Sequence, residues 1–236
     1  MKAVWKSGAG FMALLLSGLL VLAGGLPARA DDAAEARELV EKARMSLEGF
    51  ETAKEMDAFR DLVKKAKGIF IAPQVLKGAF FVGASGGSGV FLARDPKTGT
   101  WAGPAFYTIG EASFGLQIGG TASELVLLAM SERGVAAFLS NSLKLGADVG
   151  VAIGPAGAGA AAATANLSAD ILSFARSKGL FGGVSVDGAV VAVRDSLNQA
   201  FYGKKVSPTD ILAKHAVDNK AAAGLIAAVK KASGAR

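Results

Sequence analysis

The hydrophobic period of this chain changes twice, and that change restricts the fold more than any single motif. Ahead of Gly68, apolar residues recur at three- and four-residue steps: Ala36, Leu39, Val40, Ala43, Leu47 and Phe50, with Glu35, Arg37, Glu38, Glu41 and Lys42 between them. That spacing predicts an amphipathic helix, and Gly49 is its expected stop. A second stripe, Ala53, Met56, Phe59, Val63 and Ala66, predicts another helix. It ends in Lys64, Lys65 and Lys67, cations that suit a helix C-terminus, and Gly68 breaks it. From residue 69 to about 194 the period falls to two. Phe114, Leu116 and Ile118 alternate with Gly115, Gln117 and Gly119. Leu145, Ala147, Val149, Val151 and Ile153 alternate with Gly146, Asp148, Gly150, Ala152 and Gly154. Further strands are predicted at 79–84, 89–94, 101–109, 124–130, 170–177 and 180–193. Asp95-Pro96-Lys97-Thr98-Gly99 and Ser177-Lys178-Gly179 read as turns between strands. One short helix, opened by Ser131, interrupts near 131–140.

The helical period then returns. Asp195 caps a short helix that ends at Gly203, and Ser207-Pro208-Thr209-Asp210 combines a capping box with proline at the first helical position. Ile211, Leu212, His215, Leu225, Ile226 and Val229 continue on helical spacing. Short turns between strands imply antiparallel pairing, because parallel strands need long crossovers. The expected class is α+β: an antiparallel, twisted or barrel-like sheet flanked by N- and C-terminal helices.

The first thirty residues read as a cleaved export signal. Lys2 and Lys6 are followed by the apolar run Phe11–Ala23 and by Ala28-Arg29-Ala30, which places cleavage before Asp31. The apolar run is shorter than the roughly 20 residues a membrane span needs. The expected location is therefore outside the cytoplasm, in a periplasm, with peripheral membrane association. The chain has no cysteine, which excludes disulfides, thiolate metal sites and a lipid-modified cysteine. The 26 basic residues, less the leader's Lys2, Lys6 and Arg29, face 20 acidic ones, so residues 31–236 carry +3. That mild charge argues against a dedicated nucleic-acid partner. Residues 31–236 suffice for one core, and no linker divides them.

Three motifs invite a catalytic reading, and each lacks its context. Gly157-Ala158-Gly159-Ala160-Ala161-Ala162 fits a dinucleotide-binding loop. The strand before it, however, is half glycine, whereas parallel core strands are apolar on both faces, so no nucleotide is expected. The glycines at 146, 150 and 154 instead suggest a face that another layer approaches closely. Gly83-Ala84-Ser85-Gly86-Gly87 fits the nucleophile elbow of a serine hydrolase, with His215 downstream. The elbow needs a helix after the serine, and Gly86–Gly89 leads into Val90-Phe91-Leu92. Glu124, Glu132, Asp148, Asp170 and Asp187 are scattered, without metal-ligand spacing. No enzyme activity, cofactor or metal is expected.

A set of motifs in order does resemble a known family. Ala66-Lys67-Gly68-Ile69-Phe70-Ile71-Ala72-Pro73, Trp101-Ala102-Gly103-Pro104-Ala105-Phe106 and Ser113–Gly119 are similar to the SYLF domain. Lys144–Asp148, Ser177–Ser185 and Ala200-Phe201-Tyr202-Gly203 continue the match, which spans about 40–213. The resemblance implies binding of membrane lipid. Eukaryotic members bind phosphoinositides, and some bind and bundle actin, so the implied partner here is an anionic phospholipid, with envelope proteins as a second class.

Three basic clusters are the candidate lipid contacts: Lys64, Lys65 and Lys67; Arg176 and Lys178; Lys204 and Lys205. Each cation beside an anionic leaflet is worth on the order of 1 kcal/mol. Phe80, Phe81, Leu180 and Phe181 are either an apolar contact or core. The alternative function is an envelope scaffold or protein-interaction module that does not touch lipid.

Overall fold

The computed structural model describes residues 28–80, 82–114, 119–155 and 168–235. Helix α1 (Ala28–Thr52) is followed by a 3₁₀ turn (Lys54–Met56) and by α2 (Asp57–Val63). Four long strands come next: β1 (Gly68–Phe80), β2 (Val82–Arg94), β3 (Trp101–Phe114) and β4 (Gly119–Ala129). After α3 (Glu132–Ala137) the strands are shorter: β5 (Ser142–Lys144), β6 (Val151–Ile153), β7 (Ile171–Ser177), β8 (Leu180–Gly183) and β9 (Val190–Val193). Helices α4 (Asp195–Tyr202), α5 (Pro208–Leu212) and α6 (Ala223–Ser233) close the chain. The strands form one curled half-barrel sheet in the order β5-β9-β3-β2-β1-β4-β7-β6, with β8 also on β7. The α+β expectation holds. The pairs are antiparallel apart from β6 on β7, which is parallel.

The four long strands lead two lives. Their inner halves read as continuous apolar runs, Ile69–Ala72, Val90–Ala93 and Leu125–Ala129, because both faces are covered. Ile69, Ile71, Val90, Leu92, Val126 and Leu128 pack beneath α1, α2, α4 and α6. Phe70, Phe91, Tyr107, Leu125 and Leu127 face the opposite way, onto Phe138 and the α5 residues Ile211 and Leu212. There the Phe91 and Phe138 rings stack at 3.9 Å, and the Tyr107 hydroxyl donates to the Phe138 carbonyl at 2.5 Å. β1 shifts register between Ile71 and Gln74 against β2, and between Ala72 and Val75 against β4. Beyond those bulges the strands run on as a ladder in which Leu76, Gly78, Ala84, Gly86 and Ala122, on the α1 side, are exposed, while Ile109 on the other side stays buried.

The local signals held where they were strong. Ser131 accepts from Gly134 N at the start of α3. Ser207 and Asp210 form a reciprocal capping box around Pro208, and that box holds the Asp210 carboxyl well below its ordinary range. Gly203 ends α4 in the left-handed conformation. Lys178 and Gly179 both have positive φ in the β7–β8 turn.

Several boundaries moved. The strand predicted at 79–84 straddles a hairpin, since Phe80 pairs with Val82. Residues 145–154 are not one strand: Gly146 turns at φ 82°, Leu145 bridges to Val149, and only Val151–Ile153 enters the sheet. Of the three glycines there, Gly154 alone lies against an aromatic ring, that of Phe174. The strand predicted at 180–193 is two, β8 and β9. Gly49 does not stop α1, which continues to Thr52; a side chain at 49 would instead meet the Arg176 guanidinium. The predicted leader lies outside the described residues except for 28–30, which form the first turn of α1. Among the described residues no helix is long and apolar enough to cross a membrane.

Candidate functional site

Two of the three predicted basic clusters sit near one end of the sheet. Lys67 bridges the strands there: its N–H donates to Ala129 O at 2.8 Å, and its carbonyl accepts from Arg94 N at 2.8 Å. Its ammonium pairs with Glu132 at 2.9 Å, and Lys64 pairs with Asp61 at 3.1 Å. Lys65 is exposed and has no ion-pair partner among the described residues. Lys204 and Lys205 follow α4, whose Tyr202 hydroxyl donates to Pro104 O at 2.8 Å near the start of β3. They too are exposed and unpaired among the described residues.

The same end gains cations that the sequence reading did not single out. α6 is docked beside the start of β3 by a buried hydrogen bond, Trp101 Nε1 to Ser233 Oγ at 2.9 Å. This brings Lys230 and Lys231, in the last turn of α6, toward α2. Lys231, Lys64 and Arg60 all act on the carboxylate of Glu51. Burial is the larger influence and pushes Glu51 above the ordinary carboxylate range. The Lys-Lys pair was visible in the sequence; its proximity to Lys64 is a tertiary fact.

Arg176 and Lys178 lie elsewhere. β7 starts opposite Ala129 and ends opposite Ser123, so its terminal turn is about 20 Å from the basic end at 3.3 Å per residue. Arg176 is committed to structure. Its guanidinium pairs with Glu124, lies over the Phe181 ring at 5.2 Å, and fills the space above Gly49. Glu124 also accepts from Ser46 Oγ at 2.7 Å. Phe181 packs edge-on against Phe50 at 5.2 Å and belongs to the core margin, while Leu180 is 78% exposed. Lys178 is exposed and has no ion-pair partner among the described residues. It borders an open cavity of about 630 Å³ between α1 and the sheet. The side chain of Phe80 and all of Phe81 lie outside the described residues.

Ser85 and His215 are not brought together. Ser85 lies inside the unbroken strand β2, between Lys77 and Glu111. His215 is 3.9 Å from Asp95, which follows the other end of that strand. The carboxylates hold local structure. Asp170 accepts from Ser131 Oγ at 2.5 Å and Gly150 N at 3.1 Å, and these bonds, with Arg133 nearby, lower its pKa. Asp148 accepts from Lys144 N at 2.7 Å. Among the described residues no group of acidic or histidine side chains is placed to hold a metal. Residues 157–162 lie outside the described residues.

A family profile described as "Ysc84: Las17-binding protein actin regulator" matches residues 110–232, just over half of the chain. The chain belongs to the Ysc84 family. This agrees with the SYLF resemblance. Among curated proteins it is 37% identical over 153 residues to the human SH3 domain-containing YSC84-like protein 1, covering 64% of this chain and 44% of that one. It is 37% identical over 156 residues to Protein YSC84 of Saccharomyces cerevisiae, covering 33% of that protein. LAS seventeen-binding protein 3 from the same species is 35% identical over 156 residues. The chain spans less than half the length of these relatives. The profile takes in β4 through α6, with the Arg176–Glu124 pair and the Lys230–Lys231 turn.

Proposed function

We propose that this Ysc84-family domain binds anionic phospholipid at a membrane surface, without catalysis, through the basic end of its sheet. The observation that carries the reading is the convergence there of Lys64, Lys65 and Lys67 with Lys230 and Lys231, flanked by Lys204 and Lys205. Lys65, Lys204, Lys205, Lys230 and Lys231 make no direct ion pair among the described residues, so approach to an anionic leaflet breaks no ion pair of theirs. The leader-like residues 1–30 support an exported protein acting on an extracytoplasmic membrane face. The chain should co-sediment with anionic vesicles, less so as salt rises, and not with neutral ones. At about 1 kcal/mol per cation, Lys64, Lys65 and Lys67 changed together to alanine should weaken binding on the order of 100-fold with the fold intact. Equal binding to both vesicle types, or no loss in the triple variant, refutes the assignment.

A second reading rests on the family description, which names a protein ligand. It makes the domain a protein-interaction module, and binding that survives complete delipidation would favour it.

A further inference from the structure

The outer ladder of β1–β4 presents an unusual face on the side of α1. Register aligns Gly110, Gly86, Leu76 and Ala122 across β3, β2, β1 and β4. The next row is Ala112, Ala84, Gly78 and Gly120. Two successive rows of four therefore hold one leucine and otherwise glycine or alanine. A Cβ built at Gly78 meets nothing within 4 Å, and one at Gly86 only the Ile109 carbonyl at 3.8 Å. No described layer of this chain explains the missing side chains. Leu76, the single large residue, is 55% exposed.

A wall stands beside this floor. Glu35, Glu38, Lys42 and Met45 of α1 follow 3–4–3 spacing and share one stripe of the helix. They line two adjoining cavities, of about 630 and 230 Å³, that have Lys42, Pro73 and Gln74 in common. The wall is about 15 Å long at 1.5 Å per residue, or three helical turns. Met45, 58% exposed, is at one end, and Leu76 borders the other cavity. Charge is distributed unevenly. Glu35 pairs with Arg194, Glu38 with Lys42 and Arg176 with Glu124. Lys178, at the Met45 end, is left as the uncompensated charge among the described residues lining the groove.

We infer that this groove docks a short amphipathic helix of another protein, about three turns long, with an apolar stripe against the Gly/Ala rows and an acidic residue facing Lys178. Glycine and alanine let a partner's backbone approach closely and leave space for its large side chains. A bilayer gains little from such a floor, because the gain follows apolar area buried, and one free cation attracts an anionic leaflet weakly.

The inference is independent of the lipid reading. Its test pans a displayed library of 14-residue helical peptides on the full chain and measures the enriched peptides by fluorescence anisotropy. Enriched peptides should carry apolar residues at i, i+3, i+4 and i+7 and an acidic end. Gly86→Leu, which the open space accommodates, should weaken them at least tenfold while leaving vesicle binding unchanged and thermal stability no lower. Lys178→Glu should weaken them about threefold or more. Ala122→Leu fills the same floor from β4 and should repeat the first loss. The inference fails if no such peptide is enriched, or if both floor variants bind the enriched peptides as tightly as the parent does. It also fails if Gly86→Leu abolishes vesicle binding, which marks a lipid face, or dissolves a dimer in sedimentation, which marks a self-interface.

Discussion

Replacing Gly89 with alanine tests the two-sided core directly. Gly89 lies in β2 opposite Tyr107. A Cβ there would stand 2.5 Å from Phe70 Cζ, 2.7 Å from Phe70 Cε2 and 2.8 Å from the Ile71 carbonyl oxygen. The Phe70 ring has little room to yield, with Phe138 at 5.7 Å and Tyr107 at 6.4 Å between centroids. The carbonyl belongs to the β1 ladder. Overpacking of this kind costs about 1–3 kcal/mol. Loss of glycine freedom in the unfolded chain returns about 0.4–1 kcal/mol, so the net loss should be about 1–2 kcal/mol. Gly86, three residues earlier in the same strand, supplies the control: its methyl enters open space, and the change should stabilise by about 0.4–1 kcal/mol. At about 2–4 °C per kcal/mol for a domain of this size, Gly89→Ala should lower Tm by about 2–8 °C, while Gly86→Ala raises it by about 1–4 °C. Calorimetry on both variants, with urea titration as a second measure, decides the matter. Equal stabilities would refute the register of β1 on β2 and the inward orientation of Phe70.

Asn198→Ala removes a buried side chain that accepts from Phe106 N at 3.0 Å, beyond the point where β9 stops pairing with β3. The orphaned N–H should cost about 1–3 kcal/mol, read as a lower urea midpoint with an unchanged slope. Glu51→Gln tests the raised carboxyl. A folded pKa above the unfolded value contributes stability that is complete at acid pH and is lost as pH rises through the folded value. The variant should therefore gain on the parent from about pH 4 upward, and a stability difference flat across that range would contradict the burial assigned to Glu51.

The parts of this fold that were legible are those whose cause is local. Ser131, the Ser207–Asp210 box and the Lys178–Gly179 turn each satisfy backbone groups within a few residues. The errors share a different cause. Phe80-Phe81-Val82 contains no turn-forming residue, so the hairpin there is dictated by pairing with distant strands. Gly49 looked like a helix stop because its purpose, space for Arg176, comes from β7. The Lys64 cluster could be read from the chain, but not its approach to Lys231, which depends on the Trp101–Ser233 bond. The small-residue rows exist only after strand register aligns them.

β1 carries one uninterrupted backbone from the doubly covered core, through its bulge, into the open ladder. A beam anchored at one end transmits what is loaded on the other. A ligand resting on the outer rows binds only while the inner rows hold their register, so occupancy there must raise the stability of the whole domain, by RT ln(1 + [L]/Kd). Recognition at the free end and endurance of the anchored end are thus a single thermodynamic quantity in this architecture.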